Sequence, residues 1–291
     1  MLNMTNKTNV GEFIKGLVSE KIYFHPNPGN AGDSLINVGC YDCFQMNGIE
    51  YEDFFDALTC ESEKYKNKVV VLGGGGGFVP AWSFTRQFVE KFHRVVKKLI
   101  LLPQTVAGNE DLLNQLGSNV IIFAREKISY EHLKSNLSSG AQVYLSDDMA
   151  FNVDLSKVYE DFDVCLPPRH VAKKYINRTR GKIIHAFSGT KLNAFRDDAE
   201  KSDVEIPTIN YDISLKFSFG NESENLCRFS AKEFLHYISK YELIRTNRLH
   251  VAIGASLLGK RVEFFSNSYF KCKAVYDYSL KSNYPNVIWM D

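Results

Sequence analysis

No stretch of the 291-residue chain approaches the roughly 20 consecutive apolar residues that a helical membrane span requires. The opening segment, MLNMTNKTNVGEFIKG, lacks the apolar middle of a secretory signal, so the chain is expected to be cytoplasmic. Charge of one sign is also lacking. Thirty-five basic and 34 acidic residues leave a formal net charge of +1, which argues against a nucleic-acid partner held by a broad basic field. Any anion must then be held by a local cluster. Cysteine is sparse, and of the six only Cys40 and Cys43 form a CxxC. No second CxxC completes a zinc site and no other metal-ligand spacing is visible. The pair is read as buried reduced thiols, and no metal is expected.

The chain is long enough for two cores, and 44% hydrophobic with 24% charged residues is an ordinary soluble composition. Its first half alternates apolar runs with helical periodicity. KIYFH, KVVVLGGGGG, LILLPQTV, NVIIFARE and QVYLSDDMAF are read as strands, with LILLPQTV stopped by Pro103. INVGCYDCFQMNG, SFTRQFVEKFHRVVKK, NEDLLNQLG and KISYEHLKSNL are read as helices. Continuous apolar strands alternating with helices predict a parallel sheet covered on both faces. Between about 152 and 180 the pattern weakens around a Pro-Pro pair, which suggests an irregular connection. The second half alternates again: GKIIHAFS as a strand, SAKEFLHYISKY as a helix opened by Ser230 with Glu233 closing a capping box, ELIRTN as a strand end, RLHVAIGASLLG as a helix ended by Gly259, KRVEFFS as a strand, and YFKCKAVYDYSL as a closing helix. The fold class is therefore α/β, in two halves whose intervening cleft is the natural place for a ligand. Residues 1–155 form the first, 156–180 the linker and 181–291 the second.

Polar groups stand at the expected strand ends of the first half, which in an open α/β sheet share one edge. Five consecutive glycines, 73–77, exceed what a turn needs. They fit neither GxGxxG before a helix nor a Walker loop, so the backbone of Gly74, Gly75 and Gly76 is expected to face a ligand. Gln104, Arg125, Asp147 and Asp148 occupy the other ends. Together they suggest a site able to grip a sugar. Asn30 and Asp33 precede a helix, and Asp33 either caps it or faces the cleft as a base. Trp82, Phe84 and Arg86 beside the glycines are read as core. The segment IRTNRLH, 244–250, sets Arg245, Asn247, Arg248 and His250 before the apolar VAIGASLLG. A helix N-terminus with arginine is a site for phosphate or carboxylate. A buried cationic cluster is costly without an anion, so a bound anion is the economical explanation; carboxylate partners elsewhere in the chain are the alternative. By itself FRDDAEKSD, 195–203, reads as a solvated charge run.

In this order the segments GNAGDSLIN (29–37), VVLGGGGGF (70–78), LPQT (102–105), FAREKISY (123–130), YLSDDMAF (144–151), AFRDDAEK (194–201), TNRLHVAIGASLLGK (246–260) and NSYFKCKAVYDY (267–278) resemble the polysaccharide pyruvyl transferases. The resemblance implies a GT-B-like fold, with two Rossmann-like domains facing a cleft, and transfer of a pyruvyl group from phosphoenolpyruvate to two hydroxyls of a sugar or lipid-linked oligosaccharide, giving a cyclic ketal and phosphate. It implies no cofactor beyond that donor. It places the donor at Arg248, Leu249 and His250, with His250 as general acid or base, Arg196 as a second clamp, and Asp33, Asp147 and Asp148 toward the acceptor. Work at the inner membrane face, by peripheral association, would suit a lipid-linked acceptor; the sequence sets no oligomeric state. The alternatives are a GT-B glycosyltransferase using a nucleotide sugar and a non-catalytic sugar-binding protein.

Overall fold

A computed structural model describes residues 7–138, 140–160, 164–198 and 200–290. The chain forms two compact units: Met1–Asn27 with Gly39–Asn152, and Pro28–Val38 with Val153–Asp291.

The first unit contains α1 (Val10–Leu17), β1 (Ile22–His25), the later part of α2 (Ala31–Met46), β2 (Tyr51–Asp53), β3 (Val69–Leu72), β4 (Gly75–Phe78), α3 (Phe84–Phe92), β5 (Lys98–Val106), α4 (Glu110–Leu113), β6 (Val120–Ala124), α5 (Lys127–Asn136) and β7 (Gln142–Leu145). Among the described residues its strands form one seven-stranded sheet in the order β2-β1-β3-β5-β6-β7, with β4 paired to β5, and every pairing is parallel. VVVL in β3 and VIIFA in β6 are buried at every position, the pattern of strands covered on both faces. The order runs one way from β1 to β2 and the other way from β3 onward. The carboxyl ends of β1 and β3 therefore flank the point where such sheets hold ligands.

Two local expectations fail here. The strand does not stop at Pro103 but runs on to Val106. Its pairing with β6 shifts register between Leu101 and Gln104, and this irregularity accommodates a residue with no N–H for the ladder. Trp82 is 46% exposed, and Arg86 leaves the core to pair with Asp111 at 2.6 Å and Glu90 at 2.8 Å. Cys40 and Cys43 lie buried in α2, and burial pushes the Cys43 thiol up to about 11.

The second unit contains the first residues of α2, then α6 (Leu155–Val158), α7 (Pro168–Ser188), β8 (Lys191–Asn193), α8 (Ile213–Lys216), α9 (Glu224–Ser239), β9 (Leu243–Thr246), α10 (Leu249–Leu257), β10 (Arg261–Phe265), α11 (Lys271–Val275), α12 (Lys281–Asn283) and β11 (Val287–Met290). Its sheet is a separate parallel one, β11-β10-β9-β8. The α/β reading with two parallel sheets is thus what the chain adopts.

The segment expected to be irregular holds most of a 21-residue helix, α7, entered through Pro167 and Pro168, and GKIIHAFS is its last two turns rather than a strand. Its small residue Gly181 lets the helix lie against the Tyr237 ring of α9: Tyr237 donates to the Gly181 carbonyl at 3.1 Å, and a Cβ at 181 would meet that ring at 2.6 Å. Helix α9 begins six residues before Ser230. Ser223 is the N-cap, accepting from Leu226 N at 3.2 Å, while Ser230 accepts from Phe219 N within the helix and Glu233 pairs with Arg178. The final strand, VIWM, extends the sheet beyond the expected closing helix.

Candidate active site

The candidate residues fall into two groups, one in each unit. In the second unit the first turn of α2 is closed by a reciprocal cap. Asn30 Oδ1 accepts from Gly32 N at 2.8 Å, and Asp33 Oδ2 accepts from Asn30 N at 2.8 Å. Asp33 thus holds the turn, the capping role its position allowed. Helix α10 starts beside it. The Arg248 N–H donates to Thr246 Oγ1 at 2.9 Å, Leu249 is buried in the core, and His250 is the second helical residue. A Cβ built on Gly32 would stand 2.8 Å from His250 Cβ, 2.9 Å from His250 Nδ1 and 3.0 Å from Asn30 Oδ1. The imidazole therefore lies directly on the capped N-terminus of α2, and only glycine at 32 leaves room for it. His250 and the turn that Asn30 and Asp33 close, far apart in sequence, are brought to one place.

The arginines behave differently from expectation. Arg248 Nη2 donates to Asp198 Oδ2 at 3.0 Å and, more closely, to Asp212. Arg196 grips Asp198 through Nε at 2.7 Å and Nη2 at 3.0 Å, and its Nη1 contacts Glu200. Lys271 Nζ donates to Glu200 at 2.6 Å. Three cations meet three carboxylates, so the cluster is neutral without any ligand. Burial alone would raise Asp198; the fork of Arg196 and the charge of Arg248 outweigh it and hold that carboxyl well below the usual range. Asp212 is more deeply buried, and there burial wins over Arg248 and pushes the carboxyl up. Arg245 is engaged elsewhere. It pairs with Glu263 at 2.6 Å, its register partner on β10, and lies over the Phe265 ring. Asn247 Oδ1 accepts from Arg196 N at 2.8 Å, tying the end of β9 to the loop after β8. The inference of a bound anion from uncompensated charge is therefore overturned: the chain supplies the anions itself, and of the charge run at 196–198 Arg196 and Asp198 join the cluster while Asp197 is exposed.

In the first unit the expected polar edge does assemble. Gly73 N donates to His25 O at 2.9 Å, and Gly75, at φ +146°, pairs with Gln104. Gln104 Nε2 donates to Gly73 O at 2.7 Å, while its Oε1 has no partner among the described residues. Gly77 lies against Thr85 Oγ1, another buried atom without one. At the end of β6, Arg125 is fully buried. Its Nε donates to Thr105 Oγ1 at 2.8 Å and its Nη1 to Asp148 Oδ2 at 2.7 Å, and its Nη2 is left over. Asp148 is fixed by that pair and by Ala150 N at 2.9 Å, and Asp147 turns to Lys7 instead. Leaving a buried polar group unmatched costs about 1–3 kcal/mol, so these enclosed atoms are a local cost carried by this part of the unit.

Sequence reasoning missed Glu200, Asp212 and Lys271 as parts of the charged cluster, Thr85 beside the glycines, and Gly32 as the seat of His250. Helical spacing could have signalled Thr85, one turn before Phe88. Nothing local marks Asp212.

Two α/β units, each built on a parallel sheet, place the chain in the class of α/β proteins of Rossmann-like build. Comparison with known proteins is more specific. The polysaccharide pyruvyl transferase family model matches residues 27–269. A Bacillus subtilis (strain 168) protein named "Putative pyruvyl transferase EpsO" is 25% identical over 279 residues, covering 87% of this chain and 83% of that one. The crystal structure of an uncharacterized protein from Klebsiella pneumoniae matches over all of both chains with a TM-score of 0.74 and 31% identity. The chain belongs to the polysaccharide pyruvyl transferase family.

Proposed function

We propose that this protein transfers the pyruvyl group of phosphoenolpyruvate to two hydroxyls of one sugar in a surface polysaccharide or its lipid-linked precursor. The reaction adds a proton to the donor's methylene carbon, forms two C–O bonds at the adjoining carbon, breaks the bond to phosphate and removes two hydroxyl protons. It calls for a group that can give and take protons at a fixed place. His250 fits that task, and its position on Gly32 is the observation that carries the reading. Asp33, the residue after Gly32, is the carboxylate assigned to accepting a hydroxyl proton or to stabilising the developing cationic carbon.

The donor's acids do not need the paired arginines. The amides and dipole of the 16-residue α2 offer one attraction. Lys173 offers another: its Nζ donates to Ser218 O at 2.5 Å, and Ser218 Oγ donates to Gly29 O at 3.4 Å, which places an ammonium two hydrogen bonds from the turn into α2. Burial and neighbouring Lys216 lower the Lys173 pKa, so a phosphate there relieves a cation with no carboxylate partner among the described residues. In the first unit, the half-buried backbone of Gly76 and Gly77 is the surface assigned to a polyhydroxylated acceptor.

The test is release of phosphate from phosphoenolpyruvate in the presence of saccharide acceptors, with thermal shifts measured for phosphoenolpyruvate and for nucleotide sugars. Stabilisation and turnover with phosphoenolpyruvate are expected. Stabilisation by a nucleotide sugar without any response to phosphoenolpyruvate would overturn the assignment in favour of glycosyl transfer.

A further inference from the structure

Helix α7, PRHVAKKYINRTRGKIIHAFS, carries six cations (Arg169, Lys173, Lys174, Arg178, Arg180 and Lys182) and no acidic residue, in a chain whose basic and acidic totals differ by one. Only Arg178, paired with Glu233, has a carboxylate partner among the described residues. The helix also exposes large apolar side chains: Val171 at 38%, Tyr175 at 65%, Ile176 at 52%, Ile183 at 54% and Phe187 at 76%. At 3.6 residues per turn these lie opposite Asn177 and Gly181, the positions buried against the rest of the unit. Arg169 and Arg180 follow one border of the apolar stripe, and Lys182 follows the other.

Single exposed apolar residues need no explanation, but a stripe along a helix of about 31 Å does. We propose that α7 lies flat on an anionic bilayer, with Tyr175, Ile176, Ile183 and Phe187 entering the headgroup boundary and the flanking cations meeting acidic lipid. An apolar face bordered by Lys and Arg is the composition of interfacial helices, and a tyrosine suits that depth. Among the described residues no helix is long and apolar enough to cross a membrane, so α7 rests on the surface. A second copy of the chain is a poor occupant, because pairing two such faces sets cations against cations. The inference stands on α7 alone and does not require the transferase reading.

Vesicle flotation of the full chain tests it. The protein is expected to float with phosphatidylcholine vesicles containing phosphatidylglycerol, not with phosphatidylcholine alone, and to be released by salt. Each cation near an acidic leaflet strengthens binding about fivefold, so Arg180→Glu with Lys182→Glu should weaken partition by more than about 25-fold. Ile176→Ser with Phe187→Ser should weaken it comparably, and both variants should keep the wild-type circular dichroism spectrum. Equal flotation of the variants, or no flotation of the wild type, would overturn the proposal. So would light scattering showing a wild-type dimer that Ile176→Ser with Phe187→Ser turns into a monomer, since α7 would then meet another copy.

Discussion

Replacing Gly32 by alanine puts a methyl group where His250 already is. The added carbon would stand 2.8 Å from His250 Cβ and 2.9 Å from its Nδ1, whereas carbon atoms settle at about 3.5–4.0 Å. His250 Cβ is not the loose end of a flexible chain, so the imidazole must move by roughly 0.7–1 Å. A misplacement of about 1 Å in a reacting group can cost on the order of 100-fold in rate. Stability should hardly register it. Alanine in a helix gains about 0.5–1 kcal/mol over glycine, and crowding costs about 1–3 kcal/mol. The net is within about 2 kcal/mol, a melting shift of a few degrees. The assay is phosphate release by purified protein, paired with the ketal methyl signal in polysaccharide from cells lacking the native gene and supplied with each variant. Gly16→Ala is the control, because nothing lies within 4 Å of a Cβ there. Wild-type turnover in Gly32→Ala, beside an inactive His250→Gln, would show that the placement of the ring on α2 is irrelevant to its chemistry.

The remaining predictions concern proton transfer, charge and pH. His250→Gln should abolish turnover with an unchanged melting temperature; substantial activity removes it from the mechanism. Arg248→Met should destabilise by about 3–5 kcal/mol, because it strands the buried Asp212 carboxylate, and Arg248→Met with Asp212→Leu should recover most of that loss in urea unfolding; a single variant as stable as wild type refutes the pairing. Lys173→Met should raise KM for phosphoenolpyruvate several-fold with kcat little changed, and an unaltered KM argues against its donor role. His25 donates from Nδ1 to Pro26 O at 2.7 Å and sits among Phe54, Phe84 and Phe88, where burial pushes it down from 6.5 to about 4. Between those values the unfolded chain binds the proton and the folded one does not, so stability falls as pH drops through that window, by about 3 kcal/mol in all. His25→Phe should flatten this loss in denaturant titrations at a series of pH values.

Much of the frame was legible because it is written in local periodicity. VVVL and VIIFA could hardly be anything but buried parallel strands, and TNRLHVAIGASLLG carries both its start and its glycine end. Where periodicity is ambiguous the reading slipped. KIIHAF is a short apolar run that a strand or a helix can equally use, and the packing of Gly181 on Tyr237 decided it. Ser230 followed by Glu233 has the form of a capping box, yet six more residues of helix precede it and Ser223 does the capping.

The site shows a different limit. Asn30, Asp33 and His250 could each be marked as chemically capable, but the approach of His250 to the turn that Asn30 and Asp33 close depends on Gly32, a residue whose contribution is the absence of a side chain. The arginines fail for a related reason. Counting cations along IRTNRLH says nothing about where their partners are, and Asp212, 36 residues from Arg248, lies at the end of a stretch without regular structure. Charge balance in a buried cluster is set by which loops the fold brings inward. A cationic motif in sequence therefore predicts that carboxylates or a ligand will be found, and only geometry distinguishes the two. Here geometry assigns carboxylates to Arg196, Arg245 and Arg248, and this turns the search for donor contacts toward Lys173 and the first turn of α2.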